Sequence, residues 1–186
     1  DKPVIIGYDR RFMSEEAAEW VTEVLCGNGI RVKTLRRSAP TPLIMFIVKN
    51  EGLHYGIEIT ASHNPSIYNG IKLIVEEGRD ASVECTEKLE SLIDASDVVS
   101  TDIASAEAAG MIEYLKTPFN DFLDSILSKL DVETIRRAGV RVLFDSMHGS
   151  GTYALMVILH TVRCTVDVIH TERDAYFGGI APAPSE

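Results

Sequence analysis

VIIGYDRRFMSEEAAEWVTEVLCGNGIRVKTL, residues 4–35, is the stretch whose reading decides the fold. Val4-Ile5-Ile6-Gly7-Tyr8 reads as a buried strand that delivers Asp9-Arg10-Arg11 to its carboxyl end. Ser14 then stands where a helix wants a cap, and Glu15 and Glu16 fall in the first turn, where negative charge suits the exposed amides. Ala17, Trp20, Val21, Val24 and Leu25 form the expected apolar face. Gly27 or Gly29 ends that helix, and Ile30 to Leu35 reads as the next strand. Strand, helix and strand in this order predict a parallel α/β layer.

Further along, Leu43 to Lys49 follows Ala39-Pro40-Thr41-Pro42 and reads as a helix stopped by Asn50 and Gly52, with a short buried strand as the competing reading. Tyr55 to Ile59 is a strand, and Asn69-Gly70 is a tight turn into a strand from Ile71 to Val75. Cys85, Leu89, Leu92 and Ile93 mark one face of a helix. Asp94 to Gly110, rich in Ala, Ser and Asp, reads as a flexible excursion. Asn120 is the expected cap of a helix over 121–130, with Phe122, Leu123, Ile126, Leu127 and Leu130 inward, and Asp131 starts a shorter helix ending near Gly139. A second strand–helix–strand unit then runs from Val140 through Asp145–Thr152 to Ile169. The expectation is an α/β protein with a mixed sheet flanked by helices: a first domain over 1–137 and a partial second domain over 138–186, which is too short to stand comfortably alone.

Composition narrows the function classes. The longest apolar runs, 42–48 and 153–159, are far shorter than a bilayer requires, so no membrane partner is expected. The chain lacks a secretory-type start, and the cytoplasm is the expected compartment. Cys26, Cys85 and Cys164 are odd in number and widely spaced, which reads as free thiols rather than a disulfide framework or metal site. A net charge of −10 argues against a nucleic-acid partner. It leaves room for one phosphorylated small molecule held by a few local cations.

The chemistry concentrates in Gly56-Ile57-Glu58-Ile59-Thr60-Ala61-Ser62-His63-Asn64-Pro65. The strand delivers Thr60 to Pro65 to the carboxyl edge of the sheet, where ligands gather in α/β layers. Pro65 restricts Asn64 to extended backbone, so the chain can hold Ser62 on a defined bend. The turn at Asn69-Gly70 is expected to return Lys72 toward that bend, and Asp9 and Arg11 to face the same crevice. Ser62 offers an oxygen for phosphate, Lys72 and Arg11 can balance its charge, His63 can move a proton near neutrality, and Asp9 is suited to orient an arginine. An acyl-transfer serine would sit in a G-x-S-x-G elbow, which is absent. Asp145-Ser146-Met147-His148-Gly149-Ser150-Gly151 is a second glycine-bearing loop at a helix start, suited either to an anion or to a plain strand-to-helix turn. It lacks a Walker lysine.

Thr60-Ala61-Ser62-His63-Asn64-Pro65, followed by Tyr68-Asn69-Gly70-Ile71-Lys72, resembles the phosphoserine loop of the α-D-phosphohexomutases, the phosphoglucomutase and phosphomannomutase family. Gly7-Tyr8-Asp9-Arg10-Arg11, Thr41-Pro42, Asp145–Gly151 and Phe177–Pro184 resemble other segments of that family's first two domains. The resemblance implies that Ser62 carries a phosphoryl group, gives it to a hexose monophosphate, and takes one back from the bound hexose 1,6-bisphosphate. Ser62, His63 and Lys72 would be the catalytic residues, and Asp9, Arg11, Thr60 and Asn64 would support the loop. Mg2+ would bridge the Ser62 phosphate and the aspartates of a D-G-D-G-D-R loop. The partner is a phosphosugar, and the oligomer a monomer or homodimer.

No D-G-D-G-D-R segment occurs in the chain, nor do the family's sugar-reading and distal phosphate-binding loops or its opening arginine-bearing loop. The expectation is therefore an N-terminal piece that is inactive alone, of a mutase active at full length. A non-catalytic phosphosugar-binding or regulatory module is the alternative.

Overall fold

Six strands build the larger sheet: β1 (Val4–Tyr8), β2 (Val32–Thr34), β3 (Tyr55–Ile59), β4 (Ile71–Val75), β5 (Arg79–Asp80) and β6 (Ile112–Tyr114). Their order is β5-β4-β3-β1-β2-β6. β1, β2, β3 and β6 run parallel, and β4 and β5 turn back antiparallel, which makes the sheet mixed. The computed structural model describes residues 2–184. A second sheet pairs β7 (Arg141–Asp145) with β8 (Thr165–Ile169) in parallel.

Helices cover both faces of the large sheet because its central strands are apolar on both sides. Val4, Ile6, Tyr8, Val32 and Ile59 pack against α1 (Ser14–Gly27) and α4 (Ile103–Ala108) through Ala18, Cys26 and Ala106. Ile5 and Ile74 meet α2 (Thr41–Asn50) and α5 (Pro118–Leu127) through Leu43, Ile44, Ile47, Val48, Phe119 and Leu123. Gly7 and Gly56 let α2 lie close. A Cβ on Gly56 would come within 2.7 Å of Val48 Cγ2, and one on Gly7 within 2.5 Å of Ile44 Cγ1. α3 (Val83–Glu90) and α6 (Val132–Ala138) are more exposed, and α7 (Thr152–Thr161) joins β7 to β8.

The helix reading of residues 43–49 holds and the strand alternative does not: Pro42 occupies the first turn, where a missing N–H costs nothing. Ser14 is not a cap. It is the buried first residue of α1, after Met13 in the left-handed region, and its hydroxyl donates to Asp9 Oδ1 at 2.7 Å. The buried residues of α1 are Ser14, Ala18, Thr22 and Cys26; of the expected face, Ala17, Val21 and Leu25 are half-buried against the same core, and Trp20 is exposed. Asn69-Gly70 is not a tight hairpin turn, since neither residue takes positive φ. Residues 60–70 form one long loop, closed by Thr60 N–H donating to Gly70 O at 2.9 Å, and the Asn69 amide anchors it to Phe12 O and Ser14 Oγ.

Asp94–Gly110 is not a featureless excursion. Asp102 caps α4 by accepting from Ser105 N–H, Ala106 is buried, and β6 follows to complete the sheet. α3 ends at Glu90, so Leu92 and Ile93 lie beyond it and are exposed. α5 begins at Pro118, two residues before the expected cap Asn120, because proline suits a first turn. Phe119 and Leu123 are its buried residues, while Leu130 lies beyond its end. Asp131 caps α6, which ends on left-handed Gly139. Cys26, Cys85 and Cys164 are free thiols, and among the described residues no helix is long and apolar enough to cross a membrane.

Candidate functional site

β1 and β3 end side by side, with Gly7 paired to Glu58 and Tyr8 to Ile59, so their following residues meet at one edge. Asp9 is the hub of that edge. Its Oδ1 accepts from Arg11 N–H at 2.9 Å and from the Ser14 hydroxyl at 2.7 Å, and its Oδ2 accepts from the Thr60 hydroxyl at 2.7 Å. Thr60 Oγ1 in turn accepts from Ser62 N–H at 2.9 Å. A chain of polar contacts therefore runs from the first strand to the serine loop across 53 positions of sequence, from 9 to 62.

Arg11 supplies the second tie. It is completely buried, and Nε lies 3.2 Å from Asp9 Oδ2. Nη1 donates to Pro65 O and Tyr68 O at 3.0 Å each, and Nη2 donates to Ser62 O and Asn64 O at 2.8 Å each. The planar fork of guanidinium donors can serve four carbonyls at once, and a lysine cannot. The Phe177 ring covers the group, with its centroid 5.1 Å from Arg11 Cζ. Arg11 thus spends its hydrogen bonds on the loop backbone and offers none to a phosphate on Ser62.

Ser62 itself is exposed and takes the left-handed conformation, φ 56°, a region non-glycine residues seldom visit. Its Oγ lies 3.2 Å from His63 Nδ1. Asn64 is exposed and contributes its carbonyl to Arg11. Lys72, the second residue of β4, stands opposite Glu58, and its Nζ lies 3.1 Å from Asp80 Oδ1. It does not line the cleft that holds Ser62. Asp9, Arg11, Thr60, Ser62, His63 and Asn64 come together; Lys72 is held to one side.

The cleft has a volume of about 470 Å³. Asp9, Thr60, Ser62 and His63 line one wall, and the Asp145–Thr152 loop lines the other. Left-handed backbone at Met147 and His148 folds that loop over, so that Asp145 Oδ1 accepts from Met147 N–H at 2.8 Å. That bond first, and then the His170 ring nitrogen 3.0 Å from the same oxygen, hold the Asp145 carboxyl below its ordinary range. Arg10 crosses between the walls. Its Nη1 donates to Thr171 O at 2.9 Å and more loosely to His148 O and Thr152 Oγ1, both at 3.4 Å. Arg173 returns the tie by donating to Arg10 O and Arg11 O, each at 3.2 Å.

The sequence reading gave no role to Arg10, Arg173 or the wholly buried Glu58. Arg10 and Arg173 leave no local signal, because their partners lie 138 or more residues away. Glu58 leaves one: a charge between Ile57 and Ile59 in a strand covered on both faces.

The donors present do not by themselves make a magnesium site. Among the described residues no three His, Cys, Asp or Glu side chains converge on a common point. Both Asp9 oxygens are already engaged with hydroxyl, amide and guanidinium groups.

Comparisons with known proteins agree with this architecture. The family profile for phosphoglucomutase/phosphomannomutase alpha/beta/alpha domain I matches residues 1–99, and that for alpha/beta/alpha domain II matches residues 120–186. A phosphoglucosamine mutase of Methanococcus vannielii is 30% identical over 185 residues, covering 100% of this chain and 39% of its own. One from Prochlorococcus marinus strain MIT 9215 is 28% identical over 174 residues, covering 94% of this chain and 37% of its own. A solved structure of a candidate phosphomannomutase from Thermus thermophilus superposes with a TM-score of 0.83 at 27% identity, over 99% of this chain and 40% of that one. The chain thus spans well under half the length of these relatives. With both profiles matched in order on a mixed sheet and a second α/β unit, the chain belongs to the phosphoglucomutase/phosphomannomutase family.

Proposed function

We propose that this chain carries the phosphoryl-transfer serine of a phosphohexomutase, which in the whole protein interconverts hexose 1-phosphate and hexose 6-phosphate through hexose 1,6-bisphosphate. The observation that carries the reading is the exposed Ser62 hydroxyl, held at a cleft wall by a backbone whose four carbonyls are gripped by one buried arginine. Catalysis of phosphoryl transfer is mainly positioning and charge stabilisation, and a serine fixed on a braced bend meets the first of these demands.

In the forward step a hexose phosphate hydroxyl gives up its proton to solvent and attacks phosphorus, so that a new sugar O–P bond forms as the phosphoserine P–O bond breaks. The serine oxygen leaves with the bond's electron pair and regains a proton. His63, 3.2 Å from Ser62 Oγ, is placed to donate that proton or steady the oxygen. Reversal on the other phosphate of the bisphosphate restores the phosphoserine. Lys72 joins only by leaving Asp80, and breaking that exposed pair costs little.

Intact-mass measurement with peptide mapping, before and after incubation with glucose 1,6-bisphosphate, tests the reading. One added phosphoryl group on Ser62, absent from Ser62→Ala, is the expected result. Phosphate on any other residue, or none on Ser62 in a protein that still binds the sugar phosphate, would favour a non-catalytic phosphosugar-binding module.

A further inference from the structure

A second cleft, about 530 Å³, opens at the carboxyl ends of β2 and β6 and the first turn of α5, beside the serine cleft but sharing no lining residue with it. Three cations border it, Arg36, Arg37 and Lys116, all exposed. Arg36 Cζ lies 3.8 Å over the Tyr114 ring, and Arg37 Cζ lies 4.3 Å from the Tyr153 centroid and 5.0 Å from that of Phe119. Phe119 and Tyr153 pack edge to face, so the aromatic bed under Arg37 is itself fixed. Among the described residues none of the three cations makes a hydrogen bond or an ion pair. Glu15 and Glu19 line the recess on the other side of Arg36 without pairing with it.

A guanidinium stacked on an aromatic ring has its face occupied and its in-plane N–H groups free. Those edges are what a phosphate accepts, in fork-shaped pairs. Arg37 also crowds Arg10: burial first, and then the positive charges of Arg37 and Arg173, push the Arg10 guanidinium below its ordinary range. An anion in this cleft relieves that crowding. The chain carries −10 overall, so it repels an extended polyanion, and the occupant must be small.

We infer that the Arg36–Arg37–Lys116 cleft is a binding site for the phosphate group of a small phosphorylated molecule, separate from the serine cleft. The inference stands whether or not Ser62 carries phosphate.

NMR titration of the protein with orthophosphate and with glucose 6-phosphate at constant ionic strength tests it, following backbone amides and arginine Nε–H signals. Saturable shifts of Arg36, Arg37 and residues 115–119 are expected with both probes. A lower half-saturation for the sugar phosphate would assign a sugar-borne phosphate, and equal values would assign the free anion. Arg36→Ala/Arg37→Ala should weaken this binding about tenfold or more, since charge-assisted bonds are lost, and Lys116→Ala severalfold. Shifts confined to Thr60–His63 and Ser146–Thr152, binding indifferent to all three substitutions, or tighter binding of a single-stranded oligonucleotide would overturn it.

Discussion

Arg11→Lys is expected to lower the stability of the protein by about 3–5 kcal/mol, the usual cost of removing one partner from a buried charged network, and the melting temperature by roughly 10 °C. Asp9 would keep its carboxylate, but the carbonyls of Ser62, Asn64, Pro65 and Tyr68 would lose the guanidinium N–H donors they share. An ammonium has three donors on a flexible stem and cannot reach four diverging oxygens. The loop backbone would then relax from the left-handed geometry at Ser62, and phosphoryl uptake from glucose 1,6-bisphosphate should fall with it. Thermal unfolding, with amide hydrogen exchange across residues 60–68, measures both effects. A melting temperature within a degree of the parent, with exchange unchanged in that loop, would show that Arg11 does not hold the serine in place.

Glu58→Gln is expected to stabilise the protein increasingly as pH rises. Glu58 is fully buried, and neither carboxyl oxygen has a hydrogen-bond partner among the described residues. Gly7 makes its room: a Cβ there would stand within 2.3 Å of Glu58 Oε2. Desolvation first, and then the negative charge of Asp9, raise the Glu58 carboxyl well above its ordinary range, while Lys72 across the strands pulls it back only in part. The folded state therefore binds a proton that the unfolded state has lost, throughout the window from the ordinary carboxyl value up to the raised one. Stability linked to Glu58 is complete below that window and declines as pH climbs through it, by at most about 1.4 kcal/mol per pH unit. Glutamine keeps the shape and cannot ionise. Urea unfolding at pH 5 and pH 8 should give a difference between variant and parent that is small at the lower pH and about 1–3 kcal/mol in favour of glutamine at the higher. A difference independent of pH would mean that the carboxyl finds a partner or water in solution.

The two substitutions probe opposite kinds of buried charge at one sheet edge. Arg11 is buried and saturated with acceptors, so removing it leaves orphans. Glu58 is buried with no hydrogen-bond partner among the described residues and holds a proton, so a side chain that cannot ionise removes the cost of keeping that proton as pH rises. Both lie within a residue or two of the Asp9 hub, and both bear on how rigidly Ser62 is presented.

Much of the architecture was legible along the chain. The 4–35 stretch carries its strand–helix–strand plan in hydrophobic runs and glycines, and residues 55–59 and 71–75 declare themselves as strands. Errors fell where a local rule met a distant competitor. Ser14 resembles a cap until Asp9 claims its hydroxyl, and Asn69-Gly70 resembles a turn until the Asn69 amide is drawn to Phe12 and Ser14. β6 escaped notice because three residues give no period to read, and only its place beside β2 makes it a strand.

The amino-acid order alone established the parallel α/β beginning, the chemistry of the Thr60–Pro65 loop and the likeness to a family of phosphosugar enzymes, because periodicity, proline and short motifs act within a few residues. Tertiary packing alone decided that Arg11 grips carbonyls instead of phosphate, that Lys72 leans to Asp80, that Glu58 is buried with no hydrogen-bond partner among the described residues, and that Arg36 and Arg37 stack beside a second cleft. Those outcomes depend on strand register and on contacts between residues tens of positions apart, where a small change in packing redirects a long charged side chain to a different partner.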